Sequence, residues 1–284
     1  MKIFKISCHA ISEIMSGEIG LTEAQKVRLS ELIVRKRDHA AGVDKIKPLT
    51  ANMEDELKDL IIKRDNPQLP AGAKTYLKKW MKKKLFNRKE DWKALVVEKG
   101  LACEPMGIEL IDRVYGLGGL IKNDEWFENE YLHGIPDIIH DLVRDVKCSW
   151  DLDTFPMFDD PSVLPNKDYW WQLQGYMILT GIKKACIDYV LIDTPLPLVQ
   201  LDLRKLYFQS GGRAEDWTPD TNAELMPNYR FDDIPEKLRV KTFEVEFDPT
   251  VEAKINQRVI MCRKYIAEIL ELEKEKLAEI LKAA

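Results

Sequence analysis

The residues best suited to chemistry in this chain are two aspartates and a lysine in the stretch His133-Gly-Ile-Pro-Asp-Ile-Ile-His-Asp-Leu-Val-Arg-Asp-Val-Lys147. If residues 135–139 and 143–147 pair as a hairpin turning near Asp141, paired positions sum to about 282 and Asp137 faces Asp145. Two facing carboxylates repel and would destabilise a plain sheet. A divalent cation removes that repulsion, and carboxylate and carbonyl oxygens are the donors that Mg²⁺, or Mn²⁺, prefers. Lys147 follows Asp145 by two residues, so both side chains share a strand face. An ammonium there can stabilise charge growing on a phosphoryl group or orient an attacking water. Val146 between them points into the core, yet its backbone carbonyl can still reach a metal. The spacing therefore suits metal-assisted cleavage of a phosphodiester. A lone Asp-x-Lys is usually a solvated strand edge. It is Pro136-Asp137 at hairpin distance that gives this one weight.

Two further features bear on the same chemistry. Glu104 precedes Pro105, which suits the first turn of a helix running to about Tyr115. A carboxylate there would also simply favour the helix dipole, and Glu109, one turn on, is the other candidate. Gln172 and Tyr176 stand at i and i+4 and so share a helix face. Gln can hydrogen-bond a phosphate or base and Tyr can orient a ligand or the lysine. The plainer alternative is a half-buried amphipathic helix.

The chain carries a net charge of −5, which alone argues against nucleic acid. Its distribution argues otherwise: residues 1–100 hold 22 Lys+Arg against 14 Asp+Glu, and the remainder 21 against 34. Lys78, Lys79, Lys82, Lys83 and Arg88, with Lys84 and Lys89 among them and Trp80, Phe86 and Trp92 interleaved, suit a helix that contacts phosphates. A solvated face over a core stripe is the alternative. His133 and His140 flank Asp137 and read as structural more readily than as supports of the site. Trp170 and Trp171 adjoin Gln172, one for the core and the other a candidate for base stacking.

These residues need a scaffold, and the periodicities predict an α/β one. Helices are expected over 21–37, 51–64, 73–86 and 89–99, then from Pro105 to Tyr115, ended by Gly116, Gly118 and Gly119. Short β-rich runs follow at 130–133, 135–140 and 142–148. A helix over 168–180, a buried strand over 185–192, a helix over 203–210, a strand over 241–247 and a long amphipathic helix over 250–282 complete the order. The expected architecture is a central mixed sheet flanked by helices with a helical N-terminal region, divided as 1–99 and 100–284. No run of eighteen apolar residues predicts a membrane span, and Met1 to Ala10 is too polar for a signal peptide. The five cysteines form no Cys-x-x-Cys pair, so zinc sites and disulfide frameworks are not indicated. Reduced thiols in a cytoplasm are the plain reading.

Taken in order, Gly100-Leu-Ala-Cys-Glu104, Pro136-Asp137, Asp145-Val-Lys147 and Gln172-Leu-Gln-Gly-Tyr176 resemble the PD-(D/E)XK nuclease superfamily. The match is closest to its phage recombination exonuclease branch, the lambda exonuclease or YqaJ type, over about residues 100–195. The resemblance implies a restriction-endonuclease-like core. It implies that Glu104, Asp137 and Asp145 bind metal with the Val146 carbonyl, that Lys147 is the catalytic lysine, and that Gln172 and Tyr176 support it. Glu109 has no role in that mapping. The family's DNA-end-binding residues find no sure match, although Lys5-Ile-Ser-Cys-His-Ala-Ile-Ser12 occupies a similar place. The iron–sulfur cluster of some relatives is not expected, for want of four clustered cysteines. The implied activity is Mg²⁺-dependent degradation of double-stranded DNA ends, 5′-to-3′, for recombination or repair. A ring-shaped homo-oligomer and a single-strand annealing protein are the implied partners. An endonuclease of the same fold and a non-catalytic DNA-binding module are the alternatives.

Overall fold

The computed structural model describes residues 3–88, 94–274 and 278. Lys89 and Trp92, with most of the first half of the helix expected over 89–99, lie outside these residues, as does Leu277. The chain divides into two compact units. One comprises Met1–Phe4, Ser12–Arg88 and Lys254–Ala284, the other Lys5–Ile11 and Lys89–Ala253. This differs from the expected division at residue 100. The physical reason lies in the C-terminal helix, whose apolar stripe Ile255, Val259, Cys262 and Ile266 is buried. Its Arg258 guanidinium donates to the carbonyls of Ile14 (2.7 Å) and Gly17 (3.0 Å), which ties it to the N-terminal helical unit.

The helical unit holds α1 (Ile11–Met15, apart from its first residue), α2 (Glu23–Ala40), α3 (Ala51–Asp65) and α4 (Ala71–Leu85). Thr22 caps α2 through a reciprocal capping box with Gln25, and Thr50 caps α3. Leu29 and Leu32 pack on Leu57 and Leu60 between these two helices. α4 buries Ala73, Leu77 and Met81, and Trp80 meets Phe4 edge-on at 4.9 Å.

The second unit is built on a four-stranded sheet. It is introduced by α5 (Leu95–Tyr115), and a small sheet of β1 (Ile6–Ser7), β2 (Phe127–Glu128) and β3 (Leu132–Gly134) pairs in the order β1-β3-β2. β4 (Ile138–Ile139), β5 (Val143–Cys148), α6 (Lys167–Thr180), β6 (Lys184–Val190), α7 (Leu196–Gln209) and β7 (Val240–Glu246) follow. α8 (Val251–Leu272) then leads into the helical unit. The main sheet runs β4-β5-β6-β7, with β4 antiparallel to β5, β5 parallel to β6 and β6 antiparallel to β7. The sheet is thus mixed, as expected, with α6 as the crossover between its parallel strands. β4 and β5 pair Ile138 with Arg144 and Ile139 with Val143, the register that sums to 282.

Helix α5 departs from expectation. Residues 95–115 form one continuous helix with Pro105 inside it, where a break before Pro105 was expected. A proline there removes the hydrogen bond to the carbonyl of Leu101. Leu101 and Pro105 lie on the exposed face of the helix, so the missing bond is not sealed in the core. The opposite stripe of Cys103, Gly107, Ile108, Leu110 and Ile111 is buried with Val146, Val190 and Val240 of the sheet. Continuous burial outweighs the one missing bond. Gly107 is where the helix comes closest: a Cβ there would lie 2.9 Å from Val190. α6 approaches the N-terminal segment as closely, since a Cβ on Gly175 would lie 2.5 Å from Ile11 and 2.9 Å from the Cys8 sulfur. Among the described residues, no helix is long and apolar enough to cross a membrane.

Candidate active site

Strand β5 alternates its side chains across the sheet. Arg144 and Val146 face α5; Asp145 and Lys147 face α6. Asp145 is only 1% exposed. Its Oδ1 accepts a 2.6 Å hydrogen bond from Gln172 Nε2. The same amide nitrogen lies 3.1 Å from the Tyr176 hydroxyl one turn along α6. The Lys147 ammonium stands 2.5 Å from Asp145 Oδ2 and 5.0 Å from the centre of the Tyr169 ring. The i, i+4 spacing on α6 thus sets one amide on the strand and one phenol behind it.

Asp137 stands just before β4. One further step of the strand register sets it across from Asp145. Its Oδ2 accepts the Val146 N–H at 2.7 Å, which joins the Pro-Asp segment to the strand that carries Asp145. Asn123 braces the segment from the other side. Its backbone N–H donates to the Asp137 carbonyl (2.7 Å) and its side-chain amide to the Pro136 carbonyl (2.9 Å). Glu104 is buried in the middle of α5, so the helix-dipole explanation for it lapses. Its Oε1 lies 2.9 Å from the Lys122 ammonium.

The electrostatics follow from these placements. Burial pushes the Asp137 carboxyl up to about 8, with Asp145 adding to the rise. Burial alone would depress the Lys147 ammonium, but the carboxylates of Asp145 and Asp137 outweigh it and the net shift is upward. The Tyr176 phenol is raised by burial and then by Asp145, so it stays protonated. Asp137 is therefore held towards its neutral form, while Asp145 is paired with Lys147 and Glu104 with Lys122.

Glu104, Asp137, Val146 and Lys147 line one cleft of about 520 Å³, with Trp150, Tyr169 and Tyr189 along its walls. Asp145, being buried, does not reach its surface. Among the described residues, no three carboxylate, imidazole or thiol groups converge closely enough to hold an ion as they stand. The donor chemistry nevertheless fits one. Glu104 Oε1 and Asp145 Oδ2 are buried and accept no well-directed hydrogen bond. Each is met by a lysine ammonium, so a cation already occupies the electrostatic position. Hard carboxylate and carbonyl oxygens suit a hard divalent cation.

The remaining candidates fall elsewhere. Glu109 is exposed and 4.0 Å from Arg113. His133 stacks on Trp126 at 4.8 Å, and exposed His140 meets Asp141 at 3.1 Å. Trp170 and Trp171 pack edge-to-face on each other at 4.8 Å. Lys78, Lys79, Lys82 and Arg88 are exposed and Lys83 half-buried, all in the helical unit. Sequence reasoning missed Lys122, Tyr169, Tyr189 and Trp150. Lys122 and Trp150 sit in irregular segments with no periodicity to mark them. Tyr169 had a signal: it lies three residues before Gln172, on nearly the same helix face.

The mixed sheet, its crossover helix and the long helix behind it are the α/β fold of phage-type exonucleases. No family model and no curated protein matches the chain. Solved structures do. A phage-related exonuclease from Haemophilus somnus 129PT is 24% identical with a TM-score of 0.61, over 95% of this chain and 96% of that one. The alkaline exonuclease LHK-Exo from Laribacter hongkongensis is 15% identical with a TM-score of 0.50, over 97% and 94%. LHK-Exo in complex with dAMP is 13% identical with a TM-score of 0.52, over 96% and 94%. The chain shares their fold over nearly its whole length.

Proposed function

We propose that the protein is a divalent-metal-dependent exonuclease acting on ends of double-stranded DNA. One observation carries the reading: Asp145 and Lys147 lie on one face of β5, with Asp137 hydrogen-bonded to the backbone between them. Acids set side by side on a sheet serve no structural purpose that apolar residues would not serve better. The exonucleases that share the fold support the choice of reaction, and one of them binds a deoxynucleotide, dAMP.

In this reading Glu104, Asp137, Asp145 and the Val146 carbonyl hold Mg²⁺ or Mn²⁺. The ion supplies a polarised phosphate and an acidified water. Gln172 keeps Asp145 in a single rotamer by its 2.6 Å bond. Lys147, held by Asp145 and charged at all physiological pH, sets its ammonium where charge grows on the phosphoryl oxygens. Lys78, Lys79, Lys82, Lys83 and Arg88 are assigned to the DNA backbone. The 5′-to-3′ direction, the ring-shaped homo-oligomer, the annealing partner, the recombination role and the cytoplasmic location belong to the same proposal. An exonuclease with a weak grip on DNA per subunit gains most from encircling it.

The test is a duplex labelled at the 5′ or the 3′ end, incubated with Mg²⁺ or EDTA beside a closed circular control. Metal-dependent release of the 5′ label first, with the circle intact, is expected. Cutting of the circle would make it an endonuclease. No degradation with any divalent metal would leave only a DNA-binding module.

A further inference from the structure

We propose that Lys122 is the resident counter-cation of this site. Its ammonium neutralises Glu104 while no metal is bound, yields that carboxylate to an incoming divalent cation, and then holds a phosphate oxygen of DNA. The inference rests on the metal-dependent reading above.

A carboxylate buried in mid-helix without a counter-charge is costly. At Glu104 the partner is Lys122, 2.9 Å away. The two members of the pair differ in freedom. The Glu104 side chain is 12% exposed and the Lys122 side chain 44%. The pair is a single ammonium–carboxylate contact at 2.9 Å, so a divalent cation competes with one lysine for this oxygen. A cation competing for Glu104 therefore moves the lysine and leaves the carboxylate in place.

The ammonium cannot move far, because its backbone is pinned. Asn123, the next residue, is hydrogen-bonded to the carbonyls of Asp137 and Pro136. Lys122 therefore stays at the edge of the carboxylate group whichever partner it takes. Lys147 differs: it is held at 2.5 Å by Asp145 and backed by Tyr169. One lysine is fixed to the reaction centre and the other is an exchangeable lodger. Once displaced, the second finds in a DNA phosphate a replacement for the carboxylate it gave up.

Calorimetric titration of the full-length protein with MnCl₂ tests this on the wild type, Lys122→Gln, Lys122→Arg and Asp145→Asn. Lys122→Gln should bind Mn²⁺ roughly fivefold more tightly, the effect of one partly exposed ion pair no longer competing. Lys122→Arg, which keeps the charge, should stay near the wild type. With Ca²⁺ in place of Mn²⁺, Lys122→Gln should hold a 20-base-pair duplex more weakly, with a log–log salt slope smaller by about 0.9. Equal or weaker Mn²⁺ binding by Lys122→Gln overturns the counter-cation role. Tighter Mn²⁺ binding with an unchanged salt slope overturns the phosphate contact. A wild type that binds no Mn²⁺, or Asp145→Asn binding it equally well, removes the metal site itself and this inference with it.

Discussion

Strand β5 carries two buried acid–base clusters, one on each face of the sheet. Facing α5, Arg144 Nη1 donates to Asp188 Oδ2 at 3.0 Å. The same oxygen meets the Cys186 thiol at 3.4 Å, and the Thr242 hydroxyl donates to Asp188 Oδ1. Tyr115 extends the network to Thr242 at 2.9 Å. Asp188 has both oxygens filled by protein donors. Facing α6, Asp145 has one oxygen taken by Gln172 and the other met only by the Lys147 charge. Next to it Asp137 is pushed towards its neutral form. Each cluster holds a fully buried aspartate, Asp188 or Asp145, so burial of the carboxylate does not tell them apart. Saturation of the carboxylate does: although Arg144 Nε is left without a partner, both Asp188 oxygens are filled, whereas the spare oxygen of Asp145 is room for a ligand.

The contrast is broken most directly at Asp188. Asp188→Ala leaves the buried Arg144 with only the more distant, exposed carboxylate of Asp141 at 3.9 Å, which should cost about 3 kcal/mol of stability. Urea unfolding would show it as a lower midpoint, and an unchanged midpoint would mean that the saturated cluster is dispensable. Asp145→Asn and Lys147→Ala should act on rate. Each should lower DNA degradation by roughly 100-fold or more, with circular dichroism unchanged at 25 °C. Near-wild-type activity in either purified variant would remove the assignment of this face.

Much of this was legible in the sequence, and the reason is mechanical. The 282 register follows from a short turn between two β-rich runs, and period-2 alternation then puts Asp145 and Lys147 together. The Gln172 and Tyr176 pairing follows as simply from the helical repeat. Tertiary terms were less visible. The continuity of α5 across Pro105 depends on a packing stripe formed with Val146, Val190 and Val240, strands distant in sequence. Lys99 reads as an ordinary charged helix residue, yet it is fully buried, donating to the Trp150 carbonyl at 2.9 Å beneath the cleft wall. Lys122 has no periodic neighbour to mark it. The assignment of α8 to the helical unit rests on its buried stripe and on Arg258 and Arg263 finding carbonyls far earlier in the chain.

The open cluster should also have a pH signature of its own. Asp137 is raised from an ordinary 3.8 to about 8, first by burial and then by Asp145. Between those values the folded chain binds the proton and the unfolded chain does not. Asp137's contribution is therefore complete below about pH 4 and is lost as pH rises towards 8. In EDTA, Asp137→Asn mimics the neutral carboxyl and should lose no stability over that range. Its melting temperature relative to the wild type should climb between pH 5 and pH 8.5. A gap constant with pH would show that Asp137 is already ionised in the folded state.

A third kind of charge, neither saturated nor open, lies on α4, and its expected effect is the smallest per residue. The helix buries Ala73, Leu77 and Met81 and turns Lys78, Lys79 and Lys82 outwards, with Lys83 half-buried beside them. Such charges add little to stability, since water and salt screen them. Their value in binding comes from the counterions that DNA releases when a phosphate is neutralised, and that term depends on salt and not on base sequence. Replacing Lys78, Lys79 and Lys82 by Gln should therefore leave the melting temperature and the metal affinity unchanged. The log–log salt slope of duplex binding should fall by about 0.9 for each phosphate no longer neutralised, equally for unrelated sequences. Titrations between about 50 and 200 mM salt would resolve a change of even two such phosphates. An unchanged slope would assign this face to solvent alone and leave the grip on DNA to be sought among other basic residues of the chain.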